Sequence, residues 1–227
     1  MCARFTLSKE DKAIQEEYLA KFVTPFTPDT NIAPTDTGLV IRADHPNEIQ
    51  AYHFGLVPWH ATDTKEAYKR LNARNDNLLK GLWKPLMEKN KRCLVLADGF
   101  YEWERRGTQK LPWRFTITDR PVFAFAGLYS TWVNDATKEF YRSFAIITTE
   151  PNNLLEKFHD RMPVILPKEQ EQHWLSTDVP LKDLVDLCTP YPDDLMDAYR
   201  VSKAVNSTVV KGVPNKGAEL ILPENSK

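Results

Sequence analysis

Four closely spaced strand candidates decide the fold class: CLVLADGFYEWE (93–104), WRFTITD (113–119), PVFAFAGLYSTW (121–132) and FYRSFAIITTE (140–150). Each run is rich in the aromatic and β-branched residues that strands favour. Because the second run passes into the third within the short stretch 118–121, we predict a tight hairpin there. This part of the chain therefore predicts a sheet of antiparallel strands.

The flanking segments contain shorter elements without a regular alternation of strand and helix. An amphipathic helix is predicted over 9–23, after a capping box formed by Ser8 and Asp11, and an extended loop over 24–37. Further helices are predicted near 77–90, 151–158, 168–175 and 181–188, and further strands at 38–43, 49–57, 162–166 and 197–202. The order predicts one α+β domain that spans residues 1–227.

The composition is that of a globular protein. Of 227 residues, 42% are hydrophobic and 27% are charged, which excludes a disordered chain. The sequence has no run of 18 uncharged apolar residues, so no membrane span is predicted, and the N-terminus lacks the apolar core of a signal peptide. The three cysteines, at positions 2, 93 and 188, do not suggest a disulfide framework. We therefore predict a reduced, cytoplasmic protein.

The charge is unevenly distributed along the chain. The net charge is −1, yet residues 65–114 carry +7, and the segments before and after them carry −4 each. This basic segment also contains Trp103 and Trp113, so it is suited to a groove that follows phosphates and stacks bases. Alternatively, Lys84 and Lys89 simply solvate a helix. The charge pattern leaves both interpretations open.

Cys2 has the most distinctive position in the sequence. Because a small second residue permits removal of Met1, we predict a mature chain that begins with Cys2. Its α-amine and thiol, with ordinary pKa values of about 8 and about 8.5, would then lie on adjacent carbons. Such an aminothiol can condense with an aldehyde and close a thiazolidine ring, or the thiol can act as the nucleophile of a hydrolase. A cysteine without chemical function is the third interpretation.

Other positions have side chains suited to acid–base or phosphate chemistry. His159 lies between a short predicted helix and an apolar strand, where its pKa can be tuned near pH 7, although a structural histidine is the alternative. Glu102 shares a predicted strand face with Phe100, so it is either desolvated with a raised pKa or exposed on an edge strand. Asn72 and Arg74 can orient a substrate and hold a phosphate, or they cap a helix and face solvent.

Common cofactor motifs are missing from the sequence. The cysteines and histidines show no CxxC or HxxxH spacing, which argues against a metal site. A P-loop, a GxGxxG motif and a GxSxG elbow are also missing. We therefore predict neither a metal nor a cofactor.

A series of short motifs along the whole chain resembles one known family. The motifs are MCARF (1–5), NIAPT (31–35), NAR (72–74), KPL (84–86), ADGFYEW (97–103), AIITTEPN (145–152), HDRMPVIL (159–166) and NKGAEL (215–220). In this order they resemble the SRAP family, the SOS response-associated peptidases. The combination of the N-terminal MC with ADGFYEW and HDRMPV is the most specific part.

The resemblance implies an α+β domain with a curved, barrel-like antiparallel sheet, surrounding helices and a basic groove for single-stranded DNA. It also implies capture of abasic sites as a reversible covalent DNA–protein crosslink, which protects the lesion during replication and repair. A thiol autopeptidase activity is a further property that the family name implies. The expected protein is a monomer without metal, cofactor or membrane contact, located in the cytoplasm and on the nucleoid after DNA damage.

The resemblance also assigns roles to the candidate residues. Cys2 would be the nucleophile, and Asn72 would position the N-terminus and the sugar. Glu102 would exchange protons with the Cys2 amine and the sugar, and His159 would assist sugar-ring opening and release of the crosslink. The implied DNA-binding residues are Arg4, Pro58, Trp59, Arg74, Thr148 and Arg161.

One position departs from the family pattern, because Ala3 stands where members commonly have glycine. If that position required a positive φ, alanine would cost about 1 kcal/mol. Two alternatives to crosslinking stay open. A peptidase based on Cys2 and His159 predicts Cys2-dependent cleavage of peptides. A passive single-stranded DNA-binding protein predicts salt-dependent binding without preference for abasic DNA.

Overall fold

The computed structural model describes residues 2–65 and 67–224. Its α-helices are α1 (Asp11–Tyr18), α2 (Trp83–Glu88), α3 (Lys168–Leu175) and α4 (Leu181–Asp186). Its strands are β1 (Phe5–Leu7), β2 (Lys21–Phe22), β3 (Asp29–Ile32), β4 (Thr37–Arg42), β5 (His45–Phe54), β6 (Asn72–Arg74), β7 (Arg92–Ala97), β8 (Gly99–Arg106), β9 (Gln109–Ile117), β10 (Phe123–Val133), β11 (Phe140–Thr149), β12 (Met162–Pro163), β13 (Ile165–Leu166), β14 (Met196–Arg200), β15 (Val209–Val210) and β16 (Val213–Pro214). Across these residues no helix is long and apolar enough to span a membrane.

Five strands close into a barrel. β11, β10, β7, β4 and β5 are neighbours in that order through antiparallel pairing, and β5 returns to β11 through two parallel residue pairs. Inside the barrel, Phe54 and Phe144 stack with ring centroids 5.3 Å apart. Phe5 from β1 meets both rings edge-on. This architecture confirms the predicted α+β fold with a barrel-like core, and the closing pair makes the barrel mixed.

A second sheet brings the N-terminal residues to the side of the barrel. Its strand order is β14, β9, β8, β1 and β3, and every pairing is antiparallel. In the register between β1 and β8, Phe5 lies opposite Phe100, and the Tyr101 amide donates to the Arg4 carbonyl at 3.0 Å. Residues 2–4 therefore run alongside the segment that contains Glu102.

The predicted hairpin at 118–121 is wrong. β9 pairs with β8 and β14, whereas β10 pairs with β7, β11 and β13, so the connection crosses from one sheet to the other. Arg120 fixes this crossing because its guanidinium donates to the Leu166 carbonyl at 3.2 Å and to Glu171 at 2.5 Å. The tight hairpin of this region joins β8 to β9 instead, around Gly107 with a φ of +59°.

The N-terminal helix is shorter than predicted. Ser8 does not cap it, because the Ser8 hydroxyl donates to Asp98, and the N-cap residue Glu10 forms no side-chain cap. The helix ends at Tyr18, since Leu19 adopts the left-handed conformation with a φ of 50°. Part of the predicted helix is therefore strand β2, and the predicted loop 24–37 contains β3.

Some predictions for the other short elements are confirmed, and others are wrong. Residues 151–158 form turns instead of a helix, although the Asn152 side chain accepts from the Leu155 amide at 3.0 Å, as a helix N-cap does. The predicted helix 77–90 is reduced to α2. The predictions for α3, α4, β4, β5 and β14 are confirmed to within a few residues.

Gly38 on β4 makes room for the ring of Phe5. A Cβ atom at position 38 would lie 2.9 Å from Cζ of Phe5 and 3.1 Å from Cζ of Phe144, and both rings are fully buried. We therefore expect Gly38→Ala to lower the free energy of unfolding by about 1–3 kcal/mol through overpacking. Urea denaturation measures this, with the exposed Thr37→Ala on the same strand as control. A Gly38→Ala variant as stable as the parent would contradict the packing argument.

Candidate functional site

Cys2 lies in the protein interior, next to the start of β1. Its side chain is fully buried, and its thiol contacts the Arg4 carbonyl at 3.9 Å. Burial, and next the negative charge of Glu102, raise the pKa of the Cys2 thiol to about 12. The thiol is therefore protonated near neutral pH in this state.

Asn72 holds the backbone of Cys2 in place. Its Nδ2 donates to the Cys2 carbonyl at 3.1 Å. Asn72 itself is fixed by β6, whose residues pair in parallel with β11, with Asn72 opposite Ile146. The polar block 72–74 is thus a short strand that joins the barrel to the N-terminus, not a helix cap.

Glu102 on β8 is buried, with only 4% of its surface exposed. Loss of hydration raises the pKa of its carboxyl to about 7. Of the two interpretations of this residue, desolvation is therefore the one that the structure shows. A carboxyl with this pKa exists in both protonation states near neutral pH, as a group that gives and takes protons must.

His159 follows the turns of residues 151–158 and precedes β12. Its side chain is 31% exposed, and burial is the main cause that lowers its pKa below the ordinary 6.5. Nδ1 accepts a hydrogen bond from the Arg161 amide at 3.0 Å. The negative charge of the Asp160 carboxylate, 2.7 Å from Nδ1, raises the pKa of His159, but the opposite effect of burial is larger.

A cavity of about 500 Å³ adjoins these residues. Its lining includes Ala3, Arg4, Glu102, Arg105, Lys110 and His159. Three of these side chains are cationic, so the cavity suits an anionic ligand of nucleotide size. The sequence predictions missed Arg105 and Lys110 individually, although both belong to the basic segment 65–114.

Ala3 fits this site without backbone strain. The non-glycine residues with positive φ are Leu19, Thr35, Asn90, Lys138 and Lys211. Ala3 is not one of them, so the expected cost of alanine at a positive φ does not arise. The predicted removal of Met1 concerns a residue outside the described part of the chain.

The three candidate arginines differ in what they contact. Arg74 is exposed and forms an ion pair with Asp76 at 2.8 Å. Arg161 is 9% exposed and donates to Asn75 Oδ1 at 2.9 Å and to the carbonyl of Thr148, whose side chain is fully buried. Arg161 and Thr148 are thus bound to each other, next to Asn75.

Arg4 reaches across to the C-terminal part of the chain. Its Nη1 donates to Asn31 Oδ1 at 2.7 Å and to the Val205 carbonyl at 2.9 Å. Asn31 in turn donates to the Asn215 carbonyl at 2.8 Å. The sequence predictions did not single out Asn31, although it opens the NIAPT motif.

The structure gathers most of the predicted residues in one neighbourhood. The charge of Glu102 raises the pKa of Cys2. The charge of Asp160, beside His159, raises the pKa of both Glu102 and Arg74. Pro58 and Trp59 have other surroundings: Pro58 is buried, and Trp59 is 42% exposed, with Nζ of Lys89 5.6 Å from its ring. Within residues 2–65 and 67–224, no hydrogen bond or ring contact joins them to the Cys2 neighbourhood.

The described residues do not form a metal centre. No group of three or more His, Cys, Asp or Glu side chains among them is arranged to hold an ion. The three described cysteines are free and buried. The side chains of this site that can take part in acid–base or nucleophilic chemistry are a thiol, an ionisable carboxyl and an imidazole.

The site thus combines a mixed barrel with a buried cysteine at the second residue, a desolvated glutamate and a basic cavity. The family model described as SOS response associated peptidase (SRAP) matches residues 1–208. The chain belongs to this family.

Curated relatives and a solved structure extend over nearly all of the chain. The Bacillus subtilis (strain 168) protein YoqW, named an abasic site processing protein, is 41% identical over 91% of this chain and 95% of its own length. YoaM from the same organism, with the same description, is 39% identical over 99% of both chains. A crystal structure of a Bacteroides thetaiotaomicron protein has a TM-score of 0.88 at 24% identity and covers 99% of this chain and 100% of its own, which shows the shared fold.

Proposed function

We propose that this protein captures abasic sites in single-stranded DNA by forming a reversible covalent crosslink through Cys2. The observation that supports this most strongly is the buried Glu102 carboxyl beside Cys2, next to a basic cavity. Its relatives named as abasic site processing proteins match almost the full chain, which favours the same lesion here. The crosslink would shield the lesion during replication and repair.

The proposed reaction requires a chain that begins with Cys2. Its α-amine attacks C1′ of the ring-opened deoxyribose, a C–N bond forms, and loss of water gives a Schiff base. The Cys2 sulfur then adds to the same carbon, and the thiol proton passes to the nitrogen. The product is a five-membered thiazolidine, and the overall reaction releases one water without oxidation or reduction.

Proton transfer is the task that the surrounding residues would perform. An abasic sugar is mostly a closed hemiacetal, so its ring must open before the amine can attack. Glu102, with a pKa of about 7, would pass protons between the Cys2 amine and the sugar. Neutral His159 would assist ring opening and, in the reverse direction, release of the crosslink. Asn72 would hold Cys2 in position through its carbonyl.

The proposed ligand is a single strand, because an abasic nucleotide is extruded at low cost where no partner strand stacks around it. Arg74, whose side chain is 52% exposed, would contact a flanking phosphate, and Arg4 and Arg161 would add positive charge to the groove. Thr148 would support Arg161, and Pro58 and Trp59 would pack against a base. We propose a monomer that acts on nucleoid DNA in the cytoplasm, without metal or cofactor.

The thiol geometry favours crosslinking over peptidase activity. A cysteine peptidase needs a thiolate paired with a base. The Cys2 thiol instead contacts the Arg4 carbonyl, and its pKa is raised to about 12. A thiol held protonated suits addition to a Schiff base formed on its own amine better than direct attack on a peptide bond.

The test is a crosslinking assay with single-stranded DNA that carries one abasic site. After intact mass has shown that Met1 is removed, we expect a heat-stable shifted band on a denaturing gel. Its mass should equal protein plus DNA minus one water. The same oligonucleotide with an intact base is the control. Processed protein that gives no such band would overturn the proposal, and Cys2-dependent cleavage of peptides would favour the peptidase.

A further inference from the structure

A second cavity shares no lining residue with the cavity beside Cys2. Phe5 contacts β4 at Gly38, and Arg42 ends that strand four residues further on, roughly 13 Å along it. Beside Arg42 lies a cavity of about 360 Å³. Its lining includes Arg42, Gln50, Tyr52, Thr131, Phe140 and Arg142. We call this cavity the barrel-mouth pocket.

The charged side chains that line the barrel-mouth pocket are both arginines. Both line the same cavity as Tyr52, and the charges of both lower the pKa of its hydroxyl, against the larger opposite effect of burial. Arg42 is held in place by the faces of Tyr52 and Tyr129, 6.0 Å and 5.2 Å from the ring centroids. Its Nε is buried without a hydrogen-bond partner.

Arg42 and Arg142 differ in their partners, and the guanidinium of Arg42 contacts both Asp44 and His45, with Nη2 2.6 Å from His45 Nδ1. Asp44 lies 3.4 Å from Arg42 but also 3.8 Å from Lys91, so one carboxylate is shared by two cations. Glu48 accepts from Gln50 at 2.7 Å. Among residues 2–65 and 67–224, no hydrogen bond or ion pair engages the guanidinium of Arg142. The uncompensated positive charge of the pocket is therefore that of Arg142.

From this arrangement we propose that the barrel-mouth pocket binds a phosphate group. Two guanidinium groups that line one cavity are suited to binding a phosphate, and Gln50, Thr131 and Tyr52 supply neutral hydrogen-bonding groups beside them. Phe140, which is 65% exposed, offers a ring on which a base can stack. The phosphate belongs either to a free nucleotide or to a DNA strand, and the site is independent of the crosslinking function.

Calorimetric titration of the full chain tests this proposal with three probes: inorganic phosphate, thymidine monophosphate and an undamaged oligothymidylate. Arg142 is exposed, so Arg142→Gln should fold normally, and we expect it to weaken binding about tenfold or more. Lys138→Gln is the matched control, since it removes one exposed positive charge near the end of the same hairpin.

Each outcome has a defined meaning. Binding of phosphate and the mononucleotide that depends on Arg142 assigns the pocket to free phosphate compounds. If only binding of the oligonucleotide depends on Arg142, and the substitution reduces the slope of log affinity against log salt concentration by about 0.7, the pocket is assigned to a DNA backbone. If Arg142→Gln changes no affinity, or Lys138→Gln weakens binding equally, the proposal is overturned.

Discussion

Cys2→Ser is expected to abolish the heat-stable crosslink to abasic DNA while leaving a reducible one. The variant keeps a small second residue, so removal of Met1 and the α-amine are preserved. The amine still forms a Schiff base, but a hydroxyl does not close a stable sulfur ring. Without reductant we expect no shifted band after heating, and with borohydride we expect one, because reduction converts the Schiff base to a stable amine.

Two controls separate chemistry from folding. Cys188→Ser replaces another buried cysteine and should crosslink like the parent, and Cys2→Ala should behave like Cys2→Ser in both conditions. A heat-stable adduct formed by Cys2→Ser without reductant would contradict the thiazolidine mechanism. Loss of the reducible adduct as well would show that the amine of Cys2 is not the attacking group.

The strands of the barrel were predictable because their residues are locally apolar, but their closure was not. β5 and β11 meet through two residue pairs, Ser143 with His53 and Phe144 with Phe54, which are about ninety positions apart in the sequence. No local pattern encodes such a contact. The error at 118–121 has the same origin, since the direction of that connection is set by Arg120 and its partners on β13 and α3.

In the candidate site, too, the residues in local motifs were predictable, whereas the contacts between distant parts of the chain were not. The motifs and the resemblance were sufficient to single out Cys2, Asn72, Glu102 and His159 as candidates, because each is a chemically distinctive residue in a characteristic motif. The burial of Glu102 was ambiguous, because alternation along β8 does not say what covers its faces. The segment that lies beside β8 is formed by β1 and residues 2–4, which come almost a hundred positions earlier in the chain. The sharing of Arg161 between Asn75 and Thr148 is equally nonlocal.

Glu102→Gln is expected to slow crosslinking about a hundredfold, the usual scale for removal of a general acid–base group. Glutamine is nearly isosteric but does not exchange a proton. With the parent we expect the crosslinking rate to rise with pH through about 7, as the Glu102 carboxyl, whose pKa is raised to about 7, becomes a base. The pH–rate profile of the variant should lose the inflection near pH 7 and keep only the inflection caused by deprotonation of the Cys2 amine. Single-turnover rates between pH 5 and 9 measure both effects.

The same substitution is expected to stabilise the fold above pH 7. Burial raises the pKa of Glu102 from 4.5 to about 7, so the folded state binds its proton more tightly than the unfolded state does. The parent therefore loses stability as the pH rises from about 4.5 to about 7, and the loss amounts to roughly 3 kcal/mol at pH 8. Because glutamine carries no charge, Glu102→Gln should avoid this loss, which corresponds to a melting temperature about 6–12 °C higher at pH 8.

The two effects of Glu102→Gln together distinguish a functional carboxyl from a structural one. If Glu102 served the fold, its replacement would lower stability and activity together. A site that tolerates an unfavourable buried carboxylate for proton transfer should instead become more stable as it becomes slower. Thermal unfolding at pH 4, where the carboxyl is mostly protonated in both states, is the internal control and should show little difference. A variant less stable than the parent at pH 8 would refute the desolvation argument, and a parent-like crosslinking rate would remove Glu102 from the proposed mechanism.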